Sequence, residues 1–103
     1  MGLLPFRFCS AAIITFAALL GGCISSPPVQ EMSDARQAIS SAMAADAAAY
    51  AAELLDEAER LLASAESQIR NEAYGRARSN AVRAKNRALR ALDAASSAAG
   101  SAD

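Results

Sequence analysis

The sequence predicts an all-α protein on three observations. Residues 31–98 contain no proline and a single glycine, Gly75, although both residue types commonly end helices. Alanine, leucine, glutamate and arginine dominate this stretch, and all four have high helix propensity. Its apolar residues recur every three or four positions, which is the period of a helix with one buried face. We therefore expect a short helix and then an antiparallel helical hairpin, at about 31–45, 50–70 and 74–98.

The first predicted helix has its apolar face on Met32, Ala35, Ile39, Ala42 and Met43. Ser33 is the expected N-cap, and Asp34 follows in the first turn, where the helix dipole favours a carboxylate. The run Ala44–Tyr50 interrupts the spacing, and Asp46 is the expected cap of the next helix.

The second and third predicted helices also have one apolar stripe each. The second stripe consists of Leu54, Ala58, Leu61, Leu62, Ala65 and Ile69. The third consists of Ala77, Ala81, Ala84, Ala88, Ala91 and Ala95. Because alanine side chains are small, they let two helix axes approach closely, as in an alanine-rich coiled coil.

A turn near Asn71–Gly75 would join these two helices, and one uninterrupted helix over about 50–98 is the alternative. The charges favour the hairpin, because the second helix begins acidic and the third is basic. The pairs expected across it are Glu53–Arg90, Asp56–Arg87 and Leu54–Leu89. Exposed ion pairs contribute only about 0–1 kcal/mol each, so their main effect is to select the antiparallel arrangement. Tyr50 and Tyr74 are expected to close the hairpin ends as hydrophobic staples.

The N-terminal residues 1–22 have the pattern of a signal peptide. Arg7 precedes an apolar run from Phe8 to Leu20. This run is shorter than the roughly 20 apolar residues that span a membrane. A buried helix or a short signal anchor is the alternative. Residues 23–30 include two serines and two prolines and are predicted to form an extended tether, and residues 99–103 a frayed tail after Gly100.

The amino-acid composition gives little reason to expect catalysis. The chain has no histidine and no glycine-rich phosphate loop, so we expect no enzyme, metal or cofactor. Glu53, Asp56 and Glu57 are expected to form a solvated or salt-bridged face. A formal net charge of −1 gives no reason to expect nucleic-acid binding.

The basic third helix is the candidate binding element. Arg83, Arg87 and Arg90 form a candidate surface for an anionic partner, such as lipid A or peptidoglycan. We favour the alternative that the acidic second helix neutralises these cations. A core built mainly of alanines in so short a chain also predicts self-association or docking on a partner.

Residues Leu20, Gly21, Gly22 and Cys23 resemble a bacterial lipobox, with leucine three positions before a cysteine and small residues between. The resemblance implies lipidation of the Cys23 sulfur, including palmitate, and cleavage between Gly22 and Cys23 by signal peptidase II. Cys9 would leave with the signal peptide, so no intramolecular disulfide could form. Ile24, rather than aspartate, follows the cysteine, which favours the outer membrane, facing the periplasm.

The remaining chain resembles the alanine-rich lipoproteins that carry domain of unknown function 4398. The matching segments are MSDARQAISSA (32–42), AAAYAAELLDEAERLLASAE (47–66) and AYGRARSNAVRAKNRALRA (73–91). The resemblance implies a helical hairpin related in shape to tetratricopeptide repeats, without an assigned activity. The chain departs from the family where a helix-starting proline is common, at Ala51 or Ala52, and where a Gly-Asp turn is replaced by Glu72 and Ala73.

Two functions fit these expectations. The first is a lipid-anchored periplasmic interaction or scaffold module, held by membrane lipid through acylated Cys23, that binds another envelope protein. The alternative is a structural alanine-coil lipoprotein that oligomerises and spaces the outer membrane from peptidoglycan, in the manner of the murein lipoprotein.

Overall fold

The computed structural model describes residues 26–101, which form four helices and no strand. They are α1 (Val29–Ala44), α2 (Ala47–Tyr50), α3 (Ala52–Arg70) and α4 (Tyr74–Ser101). The all-α prediction is therefore confirmed. The predicted signal-peptide helix lies outside the described residues.

Helices α3 and α4 form an antiparallel hairpin rather than one continuous helix. Near the turn, the Asn80 side-chain amide donates a hydrogen bond to Gln68 Oε1 at 3.0 Å. Farther from it, Arg87 Nε donates to Glu57 Oε1 at 2.9 Å. Since later residues of α4 meet earlier residues of α3, the two helices run in opposite directions, as the charge pattern predicted.

Helix α1 runs parallel to α4 and packs on its other flank. Near the start of both helices, Arg78 Nε donates to Glu31 Oε1 at 3.0 Å, and Met32 packs in a cluster with alanines of α4. Toward their ends, Ala42 lies in a cluster with Ala91 and Ala95. Helix α4 contacts both α1 and α3 extensively, whereas α1 and α3 contact each other less. The three long helices thus form a bundle with α4 as its common partner.

The core consists mainly of alanine. Of the sixteen buried residues among 26–101, twelve are alanines, and the other four are Pro28, Met32, Ile39 and Leu55. The six alanines predicted for the third helix are all 0% exposed, which confirms that stripe. Ala38, Ala47 and Leu55 are also buried, although none of them belongs to a predicted apolar stripe.

Three predictions about larger side chains were wrong. Met43 is 52% exposed, and Leu89 is 44% exposed and borders a groove shared with α1. The pair Leu54–Leu89 therefore does not form: Leu89 lies beside α1, whereas Leu54 of α3 packs against the buried alanine cluster. The selected leucines of α3 are only half-buried. Closely spaced alanine seams leave little room for longer side chains, so most of these lie along the seam edges, and Met32, Ile39 and Leu55 are the buried exceptions.

The N-terminal boundary of the fold also differs from the prediction. Helix α1 begins at Val29, so Ser33 lies inside it and is not the N-cap. Pro28 is fully buried, and its carbonyl accepts a hydrogen bond from the Met32 amide at 3.0 Å. The Ser26 carbonyl accepts a hydrogen bond from Arg78 Nη2 at 3.5 Å. Residues 26–30 therefore belong to the folded domain, and the predicted tether is shorter than 23–30.

Three other helix ends need correction. Asp46 precedes α2 in a left-handed conformation, with φ of 62°, and its side chain makes no capping hydrogen bond. Tyr50 ends α2 instead of starting the second helix, and it is 54% exposed, so it does not staple the hairpin. Helix α4 continues through Gly100 to Ser101, where a frayed tail was expected, whereas Tyr74 begins α4 as predicted. The helix includes Gly100 and Ser101 because a single glycine costs only about 1 kcal/mol.

The hairpin turn is a Schellman motif built on a non-glycine residue. The Glu72 amide donates to the Ile69 carbonyl at 3.0 Å, and the Ala73 amide donates to the Gln68 carbonyl at 2.8 Å. Glu72 adopts φ of 60°, the left-handed conformation that glycine usually supplies. The turn therefore forms without a glycine at this position.

We expect Glu72→Gly to raise the free energy of unfolding by about 1 kcal/mol, because glycine adopts this conformation without a Cβ clash. Thermal and urea denaturation followed by circular dichroism would measure the change. Glu72→Ala is the matched control, since it removes the same carboxylate and keeps the Cβ. Equal stability of the two variants would contradict the strained turn.

Candidate anion-binding surface on helix α4

The exposed surface of α4 displays a row of arginines. Arg76, Arg83 and Arg90 are all exposed and are seven residues apart. Seven residues make nearly two helical turns, so the three side chains leave α4 along one line, about 10 Å between neighbours. We call these three residues the arginine stripe.

Carboxylates pair with four arginines among residues 26–101, and none of the four belongs to the arginine stripe. The ion pairs among residues 26–101 are Arg36–Glu66 at 3.4 Å, Arg60–Asp56, Arg78–Glu31 at 3.0 Å and Arg87–Glu57 at 2.9 Å. Within the same residues, Arg83 forms its one side-chain hydrogen bond with a neutral group, through Nη1 to Asn80 Oδ1 at 3.2 Å. The stripe thus presents its charge to solvent.

The three predicted site residues do not share one environment. Arg83 and Arg90 lie in the stripe, whereas Arg87 turns toward α3, is half-buried and is bound by Glu57. The prediction that the acidic helix neutralises all three cations is correct only for Arg87. Arg76 is one of six cations that the sequence places between residues 76 and 90, and it was not among the three selected, although the seven-residue spacing of 76, 83 and 90 could have identified it.

The predicted ion pairs between α3 and α4 did not form with the expected partners, although one observed pair is only one residue away from the prediction. Asp56 forms an ion pair with Arg60 within α3, and the neighbouring Glu57 forms the ion pair with Arg87. Among the described residues Glu53 has no ion pair with Arg90. Since adjacent residues on a helix point about 100° apart, a register shift of one position changes which carboxylate faces α4.

A shallow depression of about 180 Å³ lies beside the second half of the stripe. It is lined by Arg83, Asn86, Arg87 and Arg90. Guanidinium groups offer several N–H donors in one plane, a geometry that matches phosphate and carboxylate oxygens. The exposed Asn86 amide and the guanidinium groups of Arg83 and Arg90 therefore form a candidate surface for oxygen anions, while Arg87 stays bound to Glu57.

Other surface features have different chemistry. A cleft of about 320 Å³ lies beside Tyr50, between the residues of 49–54 and Ala94 of α4. Glu53, Asp56, Glu57 and Arg60 surround a more polar depression on α3. Within residues 26–101, no group of three or more acidic or cysteine side chains is placed to hold a metal ion. None of the helices there is both long and apolar enough to cross a bilayer.

The predicted lipidation site, Leu20 to Cys23, lies outside the described residues. Only Ile24 and Ser25 separate Cys23 from Ser26, the first described residue. No family model, curated protein or solved structure matches this chain.

Proposed function

We propose that this chain is a lipid-anchored helical interaction or scaffold module on the periplasmic face of the outer membrane, without catalytic activity. The signal-peptide pattern of residues 1–22 and the lipobox-like Leu20–Cys23 support the anchoring. Ile24 after the cysteine favours the outer membrane, and the resemblance to alanine-rich lipoproteins is consistent with that location. The partner would be another envelope component that docks on the helical surface.

The observation that most supports a module is the covering of the α4 alanine stripe. All six stripe alanines are fully buried by helices of the same chain. An alanine-coil spacer would need such a stripe for contacts between chains. Because α1 and α3 already occupy it, the surfaces left for partners are the outer faces of the bundle.

A second candidate function is the oligomeric spacer between outer membrane and peptidoglycan. It is favoured by two apolar side chains, Val82 and Leu89, which are 39% and 44% exposed on α4. They are seven residues apart and therefore lie on one line of the helix, where a second copy could cover them.

Size-exclusion chromatography with light scattering on residues 25–103 separates the two functions. We expect the mass of a single chain and one cooperative thermal transition, because the alanine stripe is satisfied internally. A trimeric or larger rod would contradict the module and favour the spacer. Val82→Ser with Leu89→Ser would then be expected to return that rod to single chains.

A further inference from the structure

The exposed face of α4 has the residue spacing of a coiled-coil seam. Five exposed residues follow each other along it at alternating intervals of four and three positions. They are Gly75, Ser79, Val82, Asn86 and Leu89. At about 100° per residue, they lie roughly opposite the buried alanines of the same helix and extend for about 21 Å. We call these five residues the outer seam.

The outer seam is open to solvent in the part of the chain that the structure describes. Its two large apolar side chains, Val82 and Leu89, are 39% and 44% exposed. A Cβ added at Gly75 would meet no atom of another helix within 4 Å. Because glycine and serine are small, they let a further helix approach α4 closely beside the apolar pair. The outer seam therefore has the shape of a helix-docking face.

Cations border the outer seam on both sides. The arginine stripe follows one side, and Arg78 and Lys85 follow the other. Arg78 is paired with Glu31, whereas Lys85 and the arginine stripe have no ion pair among residues 26–101. Asp34 of α1 lines the same groove as Lys85 without pairing with it there, and Asp93 is the next position of the pattern after Leu89. In coiled coils the charges at such borders select the partner helix.

These borders disfavour a second copy of α4 on the outer seam. In a parallel pair, Arg78 and Lys85 of one copy would face Arg83 and Arg90 of the other. In an antiparallel pair, the two arginine stripes would face each other. Like charges at these positions repel in both orientations, so the complementary occupant is a helix that carries carboxylates.

We propose that the outer seam binds an amphipathic helix of another envelope protein, with an apolar stripe bordered on both sides by glutamate or aspartate. This inference rests on the proposed interaction module and names the chemistry of its partner. The partner's apolar stripe covers Val82 and Leu89, and Asn86 is the polar residue that fixes the register.

The spacing of the charges matches such a helix. Acidic side chains seven residues apart lie about 10 Å from each other on a helix, which is also the spacing of the arginine stripe. Their carboxylates accept hydrogen bonds from the guanidinium groups and from Lys85. The bound helix would be the third neighbour of α4, after α1 and α3.

A synthetic helix tests the proposal. The acidic probe is a fluorescent peptide of about 21 residues, with leucines at alternating intervals of three and four, one asparagine among them, and glutamates along both borders. The basic probe has lysines in place of the glutamates. Fluorescence anisotropy measures their binding to the full lipidated chain in phosphatidylcholine nanodiscs, with empty nanodiscs as the blank. We expect the acidic peptide to bind on the order of tenfold more tightly than the basic one.

Charge variants identify the surface that binds the peptide. Replacing all three residues of the arginine stripe by glutamine should weaken the acidic peptide on the order of tenfold, because each exposed ion pair contributes up to about fivefold. Replacing them by glutamate should shift the preference toward the basic peptide. Arg36→Gln with Arg60→Gln and Arg70→Gln is the matched control, since it removes the same charge and leaves the outer seam intact. That control should bind like the wild type.

Apolar variants distinguish helix docking from charge attraction alone. Val82→Ser with Leu89→Ser keeps every charge and should also weaken the acidic peptide on the order of tenfold. Val29→Ser with Met43→Ser is the matched control, because both residues are exposed on α1 and lie outside the outer seam. Undiminished binding by the first of these variants, or equal binding of the acidic and basic peptides, would overturn the proposal.

Other occupants would give different results. Retention on purified peptidoglycan or anionic vesicles through the arginine stripe, without binding of the acidic peptide, would overturn the proposal in favour of a cell-wall or membrane partner. A trimeric or larger rod in light scattering would contradict the proposed module and this partner together. A single chain that stays attached to lipid and does not bind the acidic peptide contradicts only the docking of the helix.

Discussion

Ala88→Leu is expected to lower the free energy of unfolding of the mature chain by about 2–3 kcal/mol, because it adds three carbon atoms to a seam without space for them. Ala88 is 0% exposed and lies in the cluster that joins α1, α3 and α4. A leucine there must push two helices away from α4 and open the contacts of the neighbouring alanines. For a domain of this size, such a loss is a large part of the total stability.

Urea denaturation followed by far-UV circular dichroism would measure the Ala88→Leu effect. Ala63→Leu is the matched control, since Ala63 is an exposed alanine inside α3. We expect that variant to stay within about 0.5 kcal/mol of the wild type. If leucine is tolerated equally at both positions, α4 is not held in a close alanine seam.

The second large effect is expected from Cys23→Ala, which should release the chain from the membrane fraction or misplace it in the envelope. The thiolate sulfur is the nucleophile that would accept the lipid, and alanine has no such group. Two or three acyl chains on Cys23 would meet or exceed the two signals that stable anchoring requires, whereas the described helices offer no bilayer-spanning segment. Fractionation of envelopes, with intact mass measurement of the released chain, would detect both the location and the missing lipid.

Cys9→Ala is the control for that experiment, because Cys9 is the other cysteine of the chain and lies within the predicted signal peptide. We expect normal processing and membrane attachment for it. A Cys23→Ala chain that loses its signal peptide and still stays membrane-bound would contradict the lipoprotein hypothesis.

Local pattern was sufficient to predict much of the bundle. The alanines of α4 repeat with a spacing of three and four, and burial follows that spacing at every predicted position. The charge asymmetry of the two hairpin helices predicted their antiparallel pairing to within one residue of the observed Arg87–Glu57 contact. Helical periodicity and charge are properties of neighbouring residues, so a single sequence contains them.

Backbone conformations outside the helices were not predictable in the same way. Asp46 and Glu72 both adopt positive φ without being glycine, and their turns set the directions of the helices that follow. Such a conformation costs about 1–2 kcal/mol locally and is compensated by packing elsewhere in the bundle. A local pattern cannot reveal that compensation.

The candidate site shows the same division. The sequence by itself determined that α4 is basic and that its alanines form the buried face, because both follow from the helical period. Only the tertiary structure decided that Glu31 pairs with Arg78 and that Glu57 pairs with Arg87. It also decided that the arginine stripe has no carboxylate partner among residues 26–101. The reason is physical: an ion pair depends on which flank of α4 each neighbouring helix covers. That choice is made by side-chain packing between segments far apart in the chain.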